Sequence, residues 1–324
     1  MRHARRGGAD HADLSAGFPA REDQACVDAV RSHGAERRRK TIHDLSADAL
    51  VASFPPARRK TARGTVSYRE AGTGPALCLL HGIGNQSGSW VRQLEALAPR
   101  FRTIAWDAPG YGESDRLEPE SPSAADYASV VAAFLDAIGI DRAVLVASSL
   151  GALIAGAFAA SRPDRTAGLL HLNPAGGYGL ADPKEREERL ATRLERLARL
   201  GPDGMARELA PGMLSAAASA EARALASWST ARIRADGYTQ AARMLANGRL
   251  VEDASRYAGP VLVVAATADT ITPPAGCERI ARAFPRATFR VLEGPGHLSY
   301  LDAPAIVNAL IADFAAGCAQ GAPA

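Results

Sequence analysis

Short apolar runs alternate with helical stretches along most of this chain, and this alternation restricts its fold more than any other feature. It is typical of an α/β fold, in which a mostly parallel sheet carries helices on both faces. Several runs are apolar throughout, as strands buried on both faces must be. The predicted strands are residues 64–69, 76–80, 101–106, 143–147, 167–172, 261–265 and 288–292. The predicted helices are residues 93–97, 124–138, 150–161, 274–283 and 305–314, with Gly139 where a glycine commonly ends a helix.

The alternation is interrupted over residues 178–257, where sequence rich in Ala, Arg, Glu and Leu replaces the strand signal. We predict that this segment is a helical cap inserted into an α/β core of residues 64–177 and 258–316. The charged stretch 184–199 is expected to be a solvated helix face. Residues 1–63 lack sustained apolar periodicity, so we predict a polar, disordered extension of which about the first 60 residues can be removed. Residues 317–324 are predicted to be a tail.

The charge balance argues against a nucleic-acid partner. The formal net charge is +3, and residues 1–40, with nine Lys/Arg and six Asp/Glu, account for all of it. No apolar run is long enough to span a bilayer, and no apolar secretory stretch is found near residue 1. We therefore expect a cytoplasmic protein without a membrane partner. The four cysteines lack the spacing of metal ligands or of a disulfide framework.

A serine follows the predicted strand 143–147 and directly precedes a small-residue helix. In a strained turn from strand to helix, the residues two before and two after a nucleophilic serine must be Gly or Ala. Ser149 has Ala147 and Gly151 at those positions, whereas Ser148 has Val146 and Leu150. Ser149 is therefore the predicted nucleophile, although the full G-x-S-x-G pattern is absent.

A serine hydroxyl needs a base within hydrogen-bond reach, and the base needs a group that orients it. Of the histidines outside the N-terminal segment, His171 ends an apolar run and is interpreted as a core residue. His297 lies in a glycine-rich loop after the last predicted strand, where loops carry function. Asp269 follows strand 261–265, and the order Ser, Asp, His is that of the α/β hydrolases. The alternative acid position holds Asn173, which cannot serve as an acid.

An attacked carbonyl also needs N–H donors for the negative charge that develops on its oxygen. We predict that one donor is the backbone N–H of Leu150, at the start of a helix. The second is the N–H of Ile83, in the glycine-rich turn 81–84 after strand 76–80. The ring of His81 is expected to brace this turn rather than to transfer protons.

Five motifs together resemble the α/β-hydrolase superfamily in order and spacing. They are residues 80–84 (LHGIG), 106–114 (WDAPGYGES), 148–151 (SSLG), the Asp269 loop and 294–297 (GPGH). The resemblance spans residues 64–316 and implies an eight-stranded sheet with a helical cap, a Ser-Asp-His triad and no cofactor or metal. Residues 297–304, 237–238 and 250–253 are most similar to 3-oxoadipate enol-lactonases, with the meta-cleavage-product C–C hydrolases next. Residues 81–84 are more typical of general esterases and C–C hydrolases.

Three functions stay open for a small-molecule substrate. The first is hydrolysis of an ester or lactone through an acyl-enzyme, and the second is C–C hydrolysis of a ring-fission product. The third is a ligand-binding receptor on a hydrolase fold, and a homo-oligomer is also left open. The cap should set specificity because it is able to cover Ser149. Tyr178, Trp228 and Tyr238 are candidates to line an apolar pocket, and Arg232, Arg234 or Arg243 to bind a substrate carboxylate.

Overall fold

An eight-stranded, mostly parallel sheet forms the centre of the protein. The computed structural model describes residues 46–319. The strands are β1 (Ala57–Thr61), β2 (Gly64–Ala71), β3 (Ala76–Leu80), β4 (Arg102–Trp106), β5 (Ala143–Ser148), β6 (Thr166–Leu172), β7 (Val261–Ala266) and β8 (Ala287–Leu292). Their order is β1-β2-β4-β3-β5-β6-β7-β8. The pairs β1–β2 and β2–β4 are antiparallel, and the others are parallel.

Helices cover both faces of this sheet, as predicted for an α/β fold. The α-helices among residues 46–319, including those of the cap segment, are α1 (Ala47–Ala52), α2 (Val91–Leu97), α3 (Ala124–Ala137), α4 (Gly151–Ser161), α5 (Pro183–Glu208), α6 (Ala220–Thr230), α7 (Ala235–Asn247), α8 (Leu250–Ala254), α9 (Pro274–Ala283), α10 (Ser299–Asp302) and α11 (Pro304–Ala319). All seven predicted strands are confirmed to within two residues at each end. Gly139, with φ of 69°, follows the end of α3 as expected.

The central strands are largely apolar because both of their faces are covered. In β5, Leu145 packs into one apolar cluster with Phe134 and Phe158. Its neighbours Val144 and Val146 belong to the cluster on the other face. Successive side chains of a strand point to opposite faces, so a strand between two helical layers needs a continuous apolar run.

Residues 46–63 correct the predicted boundary of the N-terminal extension, because they fold onto the core. Helix α1 buries Leu50 and Val51, and β1 pairs with β2 along its whole length. The buried guanidinium of Arg69 donates hydrogen bonds to the backbone carbonyls of Val51 and Phe54. These residues show no apolar periodicity because α1 is short and β1 is a charged, exposed edge strand. Residues 1–45 lie outside the described part of the chain.

Helices α5 to α8 lie between β6 and β7, within the range predicted for the cap. Helix α5 is broken at Gly201, whose φ of 60° and ψ of 179° are not helical. Helix α7 approaches the core so closely that a Cβ on Gly237 would lie 2.0 Å from the carbonyl oxygen of Gly110. The amide of Gln240 donates hydrogen bonds to the carbonyls of Leu117 and Pro119. These contacts hold the helical segment against the loops at one edge of the sheet.

The C-terminal boundary also differs from the prediction. Helix α11 continues to Ala319, so residues 317–319 are helical rather than part of a tail, and residues 320–324 lie outside the described range. Within residues 46–319, no helix combines the length and the apolar character needed to cross a bilayer.

Candidate active site

Ser149 occupies a strained turn between β5 and α4. Its φ of 50° is in the left-handed region, and its N–H donates to the carbonyl of Leu172 at 3.1 Å. A Cβ on Gly151 would lie 2.5 Å from the carbonyl oxygen of Leu80, so only glycine fits there. The sequence rule therefore identified the correct residue type. However, the contact that requires it is with the backbone of β3.

The two adjacent serines have different environments. Ser149 lines a large cavity beneath the helices α5 and α7. Ser148 is the last residue of β5, is fully buried, and has a hydroxyl without a hydrogen-bond partner among residues 46–319. Of the two, the structure brings only Ser149 to the cavity.

His297 and Asp269 form a buried hydrogen-bonded pair. The distance from His297 Nδ1 to Asp269 Oδ2 is 2.8 Å. Asp269 follows β7 and His297 follows β8, so both lie beside the Ser149 turn at the carboxyl edge of the sheet. Because Nδ1 donates to the carboxylate, Nε2 is left as the acceptor, as a general base requires. His297 lines the same cavity as Ser149.

Four further donors surround the carboxylate of Asp269. Its Oδ1 accepts the N–H groups of Ile271 at 2.8 Å and Thr272 at 3.0 Å. Its Oδ2 accepts the hydroxyl of Thr272 at 2.7 Å and the amide of Asn173 at 2.8 Å. Burial by itself raises the pKa of Asp269, but the bonds and charge of His297 and the bonds of Thr272 outweigh it. The pKa therefore lies below its ordinary value, and the carboxylate is ionised at neutral pH.

Asn173 contacts the carboxylate of Asp269. The sequence analysis considered this residue only as an alternative acid position that an amide cannot fill. It is fully buried, with φ of 50°, and its N–H donates to the carbonyl of Val264 at 2.8 Å. Its side-chain oxygen accepts the hydroxyl of Ser299 at 2.7 Å, which fixes the amide so that its nitrogen faces Asp269. The sequence feature that could have indicated this role is the place of Asn173 directly after β6, on the same edge of the sheet as the other site residues.

The two predicted oxyanion donors flank Ser149. Neither the N–H of Ile83 nor that of Leu150 has a hydrogen-bond acceptor in the described part of the chain. Leu150 directly precedes α4, whose N-terminus favours negative charge. Ile83 lines the cavity, and a Cβ on its neighbour Gly82 would lie 3.0 Å from the Ser149 Cβ. A carbonyl oxygen beside Ser149 would find both donors free.

His81 braces the turn of residues 81–84, as expected. Its Nδ1 lies 2.8 Å from the carbonyl of Gly82, and its Nε2 lies 3.0 Å from the N–H of Ala108. A ring that donates from Nδ1 and accepts at Nε2 is neutral. Burial lowers the pKa of His81, which agrees with that neutral form. The ring also packs edge-on against Tyr111 at 4.9 Å between centroids.

The cavity above Ser149 has a volume of about 700 Å³. Of the six cap residues predicted to line it, Tyr178 and Tyr238 do so. The prediction is wrong for Trp228 and Arg232. The Trp228 indole donates to the Asp48 carboxylate at 2.7 Å, and the Arg232 guanidinium stacks on that indole at 4.4 Å. Both side chains therefore contact α1 rather than a substrate.

The prediction is also wrong for Arg234 and Arg243. Arg234 donates to the carbonyl of Ser114 at 2.8 Å, and Arg243 donates to the carbonyl of Glu120 at 2.8 Å. These guanidinium groups hold the cap to core loops and do not line the cavity. The cause is helix orientation, because the sequence does not reveal which face of α7 meets the core.

Charged residues of α5 line the cavity instead. They are Glu185, Glu188, Arg189, Arg193, Arg196 and Glu208. The expectation that residues 184–199 form a solvated helix face is therefore incomplete. One face of this helix forms a polar part of the wall of the cavity that Ser149 also lines.

The chain belongs to the α/β-hydrolase family, whose model, described as the alpha/beta hydrolase fold, matches residues 75–304. Among curated proteins, a 2-hydroxy-6-oxo-6-phenylhexa-2,4-dienoate hydrolase of Burkholderia cepacia is 34% identical over 127 residues. That match covers 38% of this chain and 44% of the relative.

Two solved structures show the same fold. A thermophilic esterase from Thermogutta terrifontis is 26% identical with a TM-score of 0.73, over 82% of this chain and 99% of that one. An enol-lactonase from Burkholderia xenovorans LB400 is 23% identical with a TM-score of 0.69, over 80% and 99% of the two chains. The family resemblance predicted from the sequence motifs is thus confirmed.

Proposed function

We propose that this hydrolase cleaves a carboxylic ester or lactone through an acyl-enzyme on Ser149. The observation that carries the proposal is the buried pair of His297 and Asp269, which leaves His297 Nε2 free beside the cavity that Ser149 also lines. An anchored histidine of this tautomer is the base that a serine nucleophile requires.

The first half of the reaction forms the acyl-enzyme. Ser149 Oγ attacks the carbonyl carbon while His297 Nε2 takes the hydroxyl proton. The N–H groups of Ile83 and Leu150 donate to the resulting oxyanion. The bond to the leaving oxygen then breaks, and His297 returns the proton to that oxygen. Asp269 stays ionised and stabilises the imidazolium.

The second half releases the acid. Water attacks the acyl carbonyl, and His297 takes one of its protons while the same two N–H groups hold the oxyanion. Cleavage of the bond to Ser149 Oγ then returns the proton to the serine. The products are a carboxylic acid and an alcohol, or one hydroxy acid if the substrate is a lactone.

C–C hydrolysis of a ring-fission product is the second candidate, because the dienoate hydrolase is similar over part of this chain. The esterase is similar over nearly its whole length, so the ester or lactone is placed first. The discriminating experiment compares 4-nitrophenyl acetate, a lactone panel and 2-hydroxy-6-oxo-6-phenylhexa-2,4-dienoate in one assay series. We expect the largest kcat/KM for an ester or lactone. A dienoate turned over at least tenfold more efficiently than every ester and lactone would replace the proposal.

The same assay series distinguishes an enzyme from a ligand-binding receptor that has no catalytic activity. Hydrolysis that is lost in Ser149→Ala supports the enzyme, because the fold offers no other hydroxyl at this turn facing the cavity. Absence of turnover for all of these compounds would favour the receptor.

A further inference from the structure

We propose that Arg193 and Arg196 of α5 form a carboxylate-binding subsite, so that the substrate carries a free carboxylate remote from the bond that is cleaved. This inference rests on the proposed ester or lactone hydrolysis and adds the chemical class of the substrate. It is built on the polar wall that α5 contributes to the cavity lined by Ser149.

The arginines of this wall share one side of a helix. Arg189, Arg193 and Arg196 are spaced by four and three residues, which places them on the same face of α5. All three line the cavity that Ser149 and His297 also line. A substrate that fills this cavity and reacts at Ser149 therefore also meets these guanidinium groups.

The acidic residues of the wall already have cationic partners. Glu185 pairs with Arg189 at 2.7 Å, Glu188 lies 4.0 Å from Lys184, and Glu208 lies 3.9 Å from Arg199. Arg189 is also occupied by Tyr178, over whose ring it stacks at 4.8 Å.

Two cations of the wall are left without an anion. Neither Arg193 nor Arg196 forms an ion pair or a hydrogen bond with a group in residues 46–319. Once the other charges are paired, the cavity wall thus carries an excess of positive charge.

Arg193 is the inner member of the pair. It is half-buried, whereas Arg196 is exposed toward the mouth of the cavity. Burial and the neighbouring Tyr127 raise the pKa of the Tyr111 hydroxyl, and the charge of Arg193 is near enough to act in the opposite direction. Tyr111 in turn accepts the N–H of Gly84, next to the oxyanion donor Ile83, at 3.5 Å. Arg193 itself lines the cavity, so its charge is available to a ligand bound there.

A carboxylate fits this subsite best. A partly buried guanidinium without an anion is unfavourable, and a ligand that supplies the anion removes that cost. The planar fork of arginine binds a carboxylate through two parallel hydrogen bonds, which a point charge does not reproduce. Tyr238, Met205 and Leu245 add apolar surface to the same cavity. An acyl chain with a terminal carboxylate matches these surfaces.

The test compares two esters, one with a free carboxylate and one in which that carboxylate is replaced by a neutral methyl ester. They are the mono-4-nitrophenyl ester of adipic acid and methyl 4-nitrophenyl adipate, which share a chain and a leaving group. We expect the wild type to prefer the acid. In Arg193→Gln the ratio of kcat/KM, acid over methyl ester, should fall by about 10- to 100-fold through a higher KM for the acid. Arg193→Lys should retain part of the preference for the acid. Arg196→Gln should lose less of this preference than Arg193→Gln does.

Arg243→Gln is the matched control, because it removes a cap arginine that contacts Glu120 outside the cavity. It should leave the ratio within about twofold of wild type. Equal kcat/KM for the two esters in the wild type would overturn the subsite. So would an equal loss for both esters in Arg193→Gln, or the same change of ratio in Arg243→Gln.

A calorimetric titration with adipate, which has no ester bond, keeps the subsite testable without turnover. Adipate should bind the wild type, and Arg193→Gln should weaken that binding at least tenfold while Arg243→Gln leaves it unchanged. If neither ester is hydrolysed but adipate binds in this way, the proposed function fails and the subsite stands. If both esters are hydrolysed without a preference and adipate does not bind, the hydrolase stands and the subsite fails.

Discussion

At the scale of single residues, Asn173 is the least expected part of the site. Asp269 holds His297, and Asn173 holds Asp269 through an amide fixed by Ser299. The residue type was visible in the sequence, but the pairing was not, because it joins residues 96 positions apart. Only the paired strands β6 and β7 bring the two side chains together.

We predict that Asn173→Gly lowers kcat by about 10- to 100-fold with little change in KM, since a small misplacement of a catalytic pair has effects of this size. Glycine is chosen because the positive φ at this position would strain alanine. Steady-state kinetics on 4-nitrophenyl acetate measure the effect. Ser299→Ala removes only the hydroxyl that donates to the Asn173 amide oxygen, so its kcat should lie between those of Asn173→Gly and wild type. Full activity of Asn173→Gly would show that Asp269 needs no support from Asn173.

His171 makes the stability of the protein depend on pH. The ring is fully buried in β6 beside Phe284, and neither nitrogen has a hydrogen-bond partner among residues 46–319. Burial lowers the pKa of His171 to about 3. The folded state therefore binds fewer protons than the unfolded state below the ordinary value of about 6.5, and stability falls as the pH decreases from there toward 3.

We predict that the wild type loses stability relative to His171→Leu as the pH falls. The free energy of unfolding of the wild type should drop faster, by up to about 1.4 kcal/mol per pH unit below pH 6. Urea unfolding at pH 7, 6, 5 and 4.5 gives the free energy of unfolding of both proteins. The other titrating groups are the same in both, so the difference between the two curves reports on His171. Parallel curves over this range would mean that His171 binds its proton equally well in the folded and the unfolded state.

At the scale of secondary-structure elements, prediction succeeded where burial dictates the sequence. The strands β3, β5, β6 and β7 lie between helical layers, so their apolar runs are unambiguous. The edge strand β1 carries Arg58, Arg59 and Lys60 on an exposed ribbon, which no apolar pattern reveals. Charges on an edge strand also prevent it from pairing with other chains.

We predict that Leu50→Ala destabilises the protein by about 2 kcal/mol, because the side chain of Leu50 is buried in the core cluster beneath α1. The matched control is Ala52→Ser on the exposed side of the same helix, which should stay within about 0.5 kcal/mol of wild type. Urea unfolding gives both values. A chain that begins at Gly64 should lose more than Leu50→Ala, since it also lacks β1 and the carbonyl partners of Arg69. Unchanged stability of that shorter chain would show that α1 and β1 contribute nothing to the fold.

At the scale of the whole molecule, the fold explains why distant positions in the sequence share one site. Ser149, Asp269 and His297 follow β5, β7 and β8, whose carboxyl ends meet at one edge of the sheet. Gly151 could be predicted because the backbone of the Ser149 turn requires it, and the order Ser, Asp, His because it is that of the α/β hydrolases. The cap arginines could not, because helix faces are set by tertiary packing. Arg193 and Arg196 sit in a stretch that, by sequence alone, has the pattern of a solvated helix.

The central claim is that Ser149 carries the acyl group. Rapid mixing with 4-nitrophenyl acetate, acid quenching and peptide mass spectrometry measure it directly. We predict a burst of 4-nitrophenolate and one acetyl group on the peptide that contains Ser149, retained in Ser148→Ala. The group should be absent in Ser149→Ala, whose turnover should fall by about 10⁴- to 10⁶-fold. An acetyl group on another residue, or wild-type turnover by Ser149→Ala, would contradict the account.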